Sequence, residues 1–310
     1  MNRLLKTIYL GLSVSLTLVV FSLFSLISLS PNTSVRAASE DLVGQTVVAN
    51  PQASSDAIAI RVLPNDHHLS AREWFYQNIS AKRSLQSLTV DGYDAVRDNR
   101  TVYVATSNVA GCGTDINLGA GDCLSPVIAI ISFNQNISTE TVDIFGQILN
   151  NWKFNQNLNN RPKTCSDNVT SCSRDEECRS QGSLCSSLKE KVIRDTKRLI
   201  TLASIKTKLE NYRLKYQHYP NLEAGSYLPN KTLSVWPSWQ KTLAAKLGSA
   251  LPVDPVNKIG TCTGDGVNPV TCWNEQTKRF YDDRGLDRLP SGSLVMRYEF
   301  VNNSEYNLCA

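Results

Sequence analysis

Carboxylates, indole rings and thiols are the groups in this chain whose types and spacing invite chemistry. Asp282, Asp283 and Asp287 fall in the short segment YDDRGLD, and Asp115, Asn117 and Asp122 fall in CGTDINLGAGDC. Oxygen ligands at closely spaced positions suit a hard cation such as calcium. The second set partly imitates an EF-hand loop, without that loop's glycine and late bidentate glutamate at their places. A carboxylate or metal site at Asp282, Asp283 and Asp287 is also what a secreted metal-dependent hydrolase would use. Surface acids in a turn, and a plain disulfide-closed loop, are the simpler accounts. Trp236 and Trp239 lie three residues apart in WPSWQ. Exposed together they would make a sugar-stacking platform for a calcium- or glycan-dependent binding module; otherwise they fill a small core.

Other chemistry has little material. The sequence lacks G-x-S-x-G, H-E-x-x-H and a P-loop. Its histidines are His67, His68 and His218. Adjacent His67 and His68 cannot share a helix face, so exposed loop residues are the expectation there, and His218 is expected at a solvated corner. Acid–base or nucleophilic catalysis through histidine has few candidates.

The cysteines speak to compartment. All nine, at 112, 123, 165, 172, 178, 185, 262, 272 and 309, follow an N-terminal segment of export type. That segment has a basic start (MNRLLK), an uncharged apolar run at 8–29, and small residues Val35, Ala37 and Ala38 suited to signal-peptidase cleavage. The run also approaches a bilayer span, so a cleaved signal and an uncleaved membrane anchor are both open. Either places the rest outside the cytoplasm, where cysteines form disulfides. No C-x-x-C pair suggests a redox site or zinc ribbon. The expected disulfide cysteines are Cys112, Cys123, Cys165, Cys178, Cys172, Cys185, Cys262 and Cys272, with Cys309 left over. Without residues 1–38 the chain loses Arg3, Lys6 and Arg36, and its formal charge falls from +4 to about +1. Near neutrality gives no argument for nucleic acid.

The elements that would position these groups divide into segments: 1–38 signal or anchor, 39–56 flexible tether, 57–155, 156–187 and 188–310. Residues 57–155 read as an α+β domain. Strand AIAIRVL (57–63) precedes a helix at 69–79, where Ser70 as N-cap and Glu73 have capping-box spacing. Short strands come next at 87–90, 91–96 and 100–109, the last two joined by the turn RDN. PVIAIISFNQN (126–136) is the densest β-branched run. A helix at 139–155 places Val142, Phe145, Leu149 and Trp152 on one face. Residues 156–187 carry almost no apolar side chains but four cysteines spaced C-x6-C-x5-C-x6-C. Such a segment needs covalent staples. Three connectivities are possible; 165–178 with 172–185 is favoured, in a stiffened spacer or a small binding knot.

Residues 188–310 open with a long helix. Leu188, Val192, Thr196, Leu199, Leu202, Ile205, Leu209, Tyr212 and Tyr216 form one stripe, about 43 Å long at 1.5 Å per residue. Tyr219-Pro220 is expected to end it, because the residue before proline disfavours α geometry. This helix carries nine Lys and Arg against Glu190, Asp195 and Glu210. A solvated face accounts for that charge, with an anionic polymer as the alternative. A short helix at 236–248 closed by Gly248 comes next, then strands at 278–283, 293–301 and 306–309.

RDTKRLITLASIKTKLENYRLKYQHYP (194–220) with LPVDPVNK (251–258) after it resembles the globular domain of type IV pilins, most closely the major pseudopilin of type II secretion. The resemblance implies one long helix packed on a small antiparallel sheet, and calcium bound near the C-terminal loops, where YDDRGLD falls. It departs from the family in having no prepilin-peptidase site in 1–40 and no hydrophobic stub contiguous with residue 188. The order strand–helix–four strands–helix, with LTVDGYDAV and IFGQILNNWKF, resembles PsbP/Mog1-like domains, whose members are mostly non-enzymatic.

The expectation is therefore an exported α+β protein of two small domains joined by a disulfide-stapled linker. Its role is structural or adhesive and non-catalytic, without a cofactor unless calcium binds. Expected partners are the membrane, if the first segment is retained, and envelope, pilus or secretion proteins.

Overall fold

The computed structural model describes residues 56–109, 124–134, 138–158, 163–166, 169–179, 183–223, 227–281 and 289–310. They belong to one compact unit of α+β class, in which helices pack on antiparallel sheets. No helix among them is long and apolar enough to cross a membrane. The N-terminal export segment, Cys112, Cys123, Asp115, Asn117, Asp122 and Asp282, Asp283, Asp287 lie outside the described residues.

The first lobe runs β1 (Ile58–Pro64), α1 (Ala71–Asn78), β2 (Gln86–Val90), β3 (Tyr93–Asp98), β4 (Thr101–Asn108), β5 (Ser125–Phe133) and α2 (Thr139–Asn151). The strands form one antiparallel sheet in the order β1-β5-β4-β3-β2. Side-chain alternation explains why its central strands are apolar throughout. Val102 and Val104 of β4 and Ala129 and Ile131 of β5 face α2, packing with Phe145 and Leu149. The intervening Tyr103, Ala105, Ile128 and Ile130 face α1, packing with Trp74 and Phe75. A sheet covered on both faces needs apolar residues at consecutive positions.

Local signals set the element ends. Ser70 caps α1, and its side chain and that of Glu73 complete the capping box. Asp91 and Gly92, with φ of 51° and 85°, make the two-residue turn between β2 and β3. Both positions need positive φ, which explains Asp-Gly here. Gly92 is doubly constrained, because a Cβ there would lie 3.1 Å from Ile193 Cδ1. In α2 only Phe145 and Leu149 of the expected face are fully buried; Val142 is exposed, and the helix stops before Trp152.

The cysteine-rich segment contains two short strands, β6 (Lys163–Thr164) and β7 (Ser171–Cys172), and one helical turn, α3 (Asp175–Cys178). Cys165 bonds Cys178 and Cys172 bonds Cys185, the connectivity favoured among the three possible. The four cysteines bury one another, so the core this segment lacks in apolar residues is made of sulfur.

The long helix α4 (Leu188–Tyr216) serves two masters. Its first half packs on the first lobe: Val192 meets Val109 and Leu158, Ile193 joins the α2-side core, and Ile200 joins the α1-side core. Thr196 Oγ1 lies 2.8 Å from Ser107 Oγ, and Ser204 Oγ donates to Glu73 Oε1 at 3.0 Å. Its second half packs on the C-terminal part of the chain: Leu202, Ile205 and Leu209 meet Met296, Tyr298 and Leu308. A helix taken from sequence as part of the last segment alone is thus shared. Gln217, in the left-handed region (φ 64°), ends it, and its N–H donates to Arg213 O. Pro220 therefore comes after an end already made. Tyr216, at the tail of the expected stripe, is exposed.

The second lobe contains β8 (Lys231–Leu233), π-helical turns at Trp239–Ala244 leading into α5 (Ala245–Leu247), β9 (Trp273–Asn274), β10 (Arg279–Phe280), β11 (Arg297–Asn302) and β12 (Glu305–Cys309). Gly248, with φ of 77°, closes α5. The sheet under α4 has the order β12-β11-β8. The strand expected at 278–283 instead pairs as β10 with β9 in a separate ribbon. The ribbon's core contains the Cys262–Cys272 disulfide. Gly260 is required by close approach, since a Cβ there would collide with the backbone oxygens of Ser291 and Pro290.

The shared helix gives a test of side-chain placement. Leu209→Ala is expected to destabilise the protein by about 2–5 kcal/mol through loss of buried methyls and a cavity. Leu214→Ala, on the exposed face, should change stability by less than about 0.5 kcal/mol. Urea unfolding monitored by circular dichroism measures both.

Candidate functional site

Among the described residues, a dense grouping of ionised side chains lies where the first lobe, the cysteine-rich segment and α4 meet. Its centre is Asp91, at the tip of the β2–β3 turn, whose side chain is fully buried. Arg174 Nη2 donates to its Oδ1 at 2.7 Å and Lys153 Nζ reaches the same oxygen at 3.5 Å. Lys189 Nζ donates to Oδ2, which also accepts the Phe154 N–H at 2.8 Å. Three cations from three separate segments thus converge on one carboxylate. Lys189 is itself buried, while Arg174 and Lys153 remain about one-third exposed. Beside them, Asn155 Nδ2 donates to Tyr93 Oη at 3.1 Å and to Ser107 O at 3.0 Å. Burial pushes the Tyr93 phenol up to about 12, so it stays protonated at neutral pH.

A second ionic group fastens the cysteine-rich turn to the helix. Arg194 Nη1 donates to both Asp175 oxygens, at 2.7 and 2.6 Å, and Asp175 Oδ1 also accepts the Cys185 N–H at 2.9 Å. Glu190, buried on the first turn of α4, faces the same region. Burial pushes its carboxyl up to about 7; the charges of Asp175 and Glu176 push the same way, and Arg194 opposes them.

The third group secures the second lobe. Arg198 donates to Asp254 through Nε at 2.6 Å and Nη2 at 3.2 Å, and through Nη1 to Asp195 at 2.6 Å. Asp254, the acid of LPVDPVNK, also accepts the Val256 and Asn257 N–H groups, forming its own turn. Lys189, Arg194 and Arg198 are therefore spent on internal carboxylates, and Lys197 pairs with Asp94. Much of the charge counted on the long helix faces protein.

The aromatic platform is corrected by the structure. Trp236 and Trp239 are both buried and belong to different cores, Trp236 with Trp273 and Phe280, Trp239 with Ile205 and Leu209. Their indole N–H groups donate to Thr271 O at 2.8 Å and Pro252 O at 3.1 Å. Their packing and their satisfied donors leave no stacking face for a ligand. His67 lies exposed in the β1–α1 loop beside His68, and His218 Nδ1 lies 2.8 Å from Tyr219 O. Among the described residues, the one grouping of metal-ligating type is Cys165, Cys172 and Cys178, all held in disulfides. Cys309 is exposed and unpaired.

Chemically, the Asp91 site is saturated. Each carboxylate oxygen faces two donors, all of them groups of the protein itself. Its capacity is to join segments. Sequence reading passed over Asp91, although Asp-Gly between alternating apolar residues marks a hairpin tip. The other available signal was Lys189 in the first turn of a helix, where the macrodipole disfavours a cation unless an anion answers it. Comparison of the chain with family models, with curated proteins and with solved structures finds no match.

Two outcomes are expected. Asp91→Ala leaves the Lys189 ammonium buried and unpaired and should cost about 3–5 kcal/mol by urea unfolding. Glu190 holds its proton more tightly folded than unfolded. Its contribution to stability is therefore complete below the ordinary carboxylate value of 4.5 and is lost as pH rises toward about 7. Glu190→Gln should remove that part of the decline, seen as a smaller fall in unfolding midpoint between pH 5 and pH 8 than in the unaltered protein.

Proposed function

We propose that this chain is an exported cell-envelope protein with a structural or adhesive, non-catalytic role, built on a pilin-like head and associated with a pilus or secretion apparatus. The observation that carries the reading is the packing of α4 on the C-terminal sheet. The second half of the helix covers the three-stranded antiparallel sheet of β8, β11 and β12. Both sequence marks of the resemblance touch that helix. Tyr219, of the Tyr-Pro corner, is buried and its hydroxyl lies 3.0 Å from Glu210 Oε1. Asp254, of LPVDPVNK, is held by Arg198.

The three disulfides among the described residues accord with an oxidising compartment outside the cytoplasm. The saturated Asp91 site and the buried tryptophans favour a scaffold over an enzyme or a glycan binder. In this reading the head does not polymerise through its helix. The half of α4 nearer the N-terminus is covered by the first lobe, so the head is a surface module carried beside that lobe.

The test is crosslinking in intact cells that carry an affinity-tagged full chain, with fractionation and identification of adducts. Recovery from the envelope with pilus or secretion subunits is the expected result. Recovery from the cytoplasm, or from the envelope without any surface partner, would overturn the reading.

A further inference from the structure

The cysteine-rich segment brings four sulfurs together in a way its spacing conceals. With six, five and six residues between successive cysteines, no pair has the short local spacing of a zinc ribbon. Tertiary structure supplies the convergence instead. The Sγ atoms of Cys165, Cys172 and Cys178 all lie within 4.8 Å of one another, and Cys185 is bonded to Cys172. All four side chains are buried, and they form a cluster of their own.

We propose that the reduced form of this cluster is a tetrathiolate site for a soft divalent cation of the zinc type, so that metal and disulfides are alternative staples of one segment. The dimensions suit it. A tetrahedral site with Zn–S near 2.3 Å has sulfur–sulfur edges of about 3.8 Å. The Cys172 sulfur then closes by about 1 Å at most and the Cys165–Cys178 pair opens outward to the same edge, while Cys185, whose sulfur lies outside that 4.8 Å group, must turn inward from its place beside Cys172 to complete the set. Four sulfurs without oxygen or nitrogen partners select a thiophilic tetrahedral ion over calcium or magnesium.

The surrounding contacts keep the sulfurs near one another when their bonds are opened. Asp175 holds Arg194 of α4 and the Cys185 N–H. Arg174 holds Asp91, Ser187 Oγ donates to Ser173 O at 3.3 Å, and the Ser186 N–H donates to Thr164 O at 3.1 Å. The middle of the segment is thus tied to the body of the protein, and its two ends to each other, by contacts that need no disulfide. A segment without an apolar core has a strong thermodynamic demand for some cross-link, which a metal meets as in small metal-folded domains.

The chemistry balances simply. A dithiol or phosphine reductant breaks both S–S bonds, delivering two electrons to each, and two protons per bond complete four thiols. Each thiol that binds the ion gives up its proton, because the thiolate is the ligand. An oxidant that re-forms the two disulfides withdraws the ligands and ejects the ion.

The experiment uses the full chain, reduced with a phosphine under anaerobic conditions and titrated with Co2+ and Cd2+. A variant with Cys112, Cys123, Cys262, Cys272 and Cys309 changed to Ser isolates the four sulfurs. It is expected to bind a single equivalent, with thiolate-to-metal charge-transfer absorption and the visible bands of tetrahedral Co2+. The oxidised protein should show neither. The unaltered chain is titrated in parallel against Cys165→Ser/Cys172→Ser, with helicity monitored, so that a misfolded multiple variant does not decide the matter. Loss of a single equivalent in the double variant with helicity retained supports the site. Equal binding in both, or no charge-transfer absorption in the reduced unaltered chain, overturns it.

Discussion

The architecture depends on a single buried negative charge. Asp91 sits at a hairpin tip with no solvent to stabilise it, and it stays compatible with folding only while cations are delivered to it. A carboxylate removed from water loses several kcal/mol of hydration, which neighbouring charges must offset. Here the cations come from the residues just after α2, from the cysteine-rich segment and from the first turn of α4. These pieces are separated by more than sixty positions in the chain from Asp91, or nearly a hundred for Lys189. Buried ion pairs add little net stability compared with apolar replacements, but they penalise every arrangement in which a partner is missing. The network thus acts chiefly on specificity, selecting the one docking of three segments that satisfies all of it.

The same principle recurs along α4. Lys189, Arg194 and Arg198 each answer an acid from a different part of the chain: the hairpin tip, the stapled turn, and the Asp254 corner. The apolar stripe supplies most of the burial but is tolerant of small rotations and slides. Charged pairs at successive positions are not, because a displacement of one residue would bury each cation without its anion. Hydrophobic burial makes the helix stick, and the ion pairs fix its register on both lobes.

Legibility from sequence depends on how local the determinants are. The capping box at Ser70 and Glu73, the β-branched run of β5 and the glycine closing α5 depend on neighbours within a few residues, and were readable. The length and start of α4 were readable from its periodicity. Its allegiance was not, because a stripe records that a face is covered without recording by what. The tail of the stripe misled at Tyr216, an aromatic residue that tolerates half-exposure. Strands of two or three residues such as β8 and β9 have no periodicity to detect. Trp236 and Trp239 left two readings open, since three-residue spacing places side chains near each other whether they face water or a core. Asp91 was invisible as a site because an acid in a turn looks the same buried or solvated.

One consequence of the shared helix concerns how the molecule comes apart. Each lobe supplies cover for only half of α4, and each takes from α4 part of its own interior, Ile193 and Ile200 on one side, Ile205 and Leu209 on the other. Melting either lobe would strip an exposed greasy flank along a rod that its neighbour still requires to be straight and whole. Two independently cooperative units are therefore replaced by one, and neither piece is a free-standing fragment to be excised at residue 188.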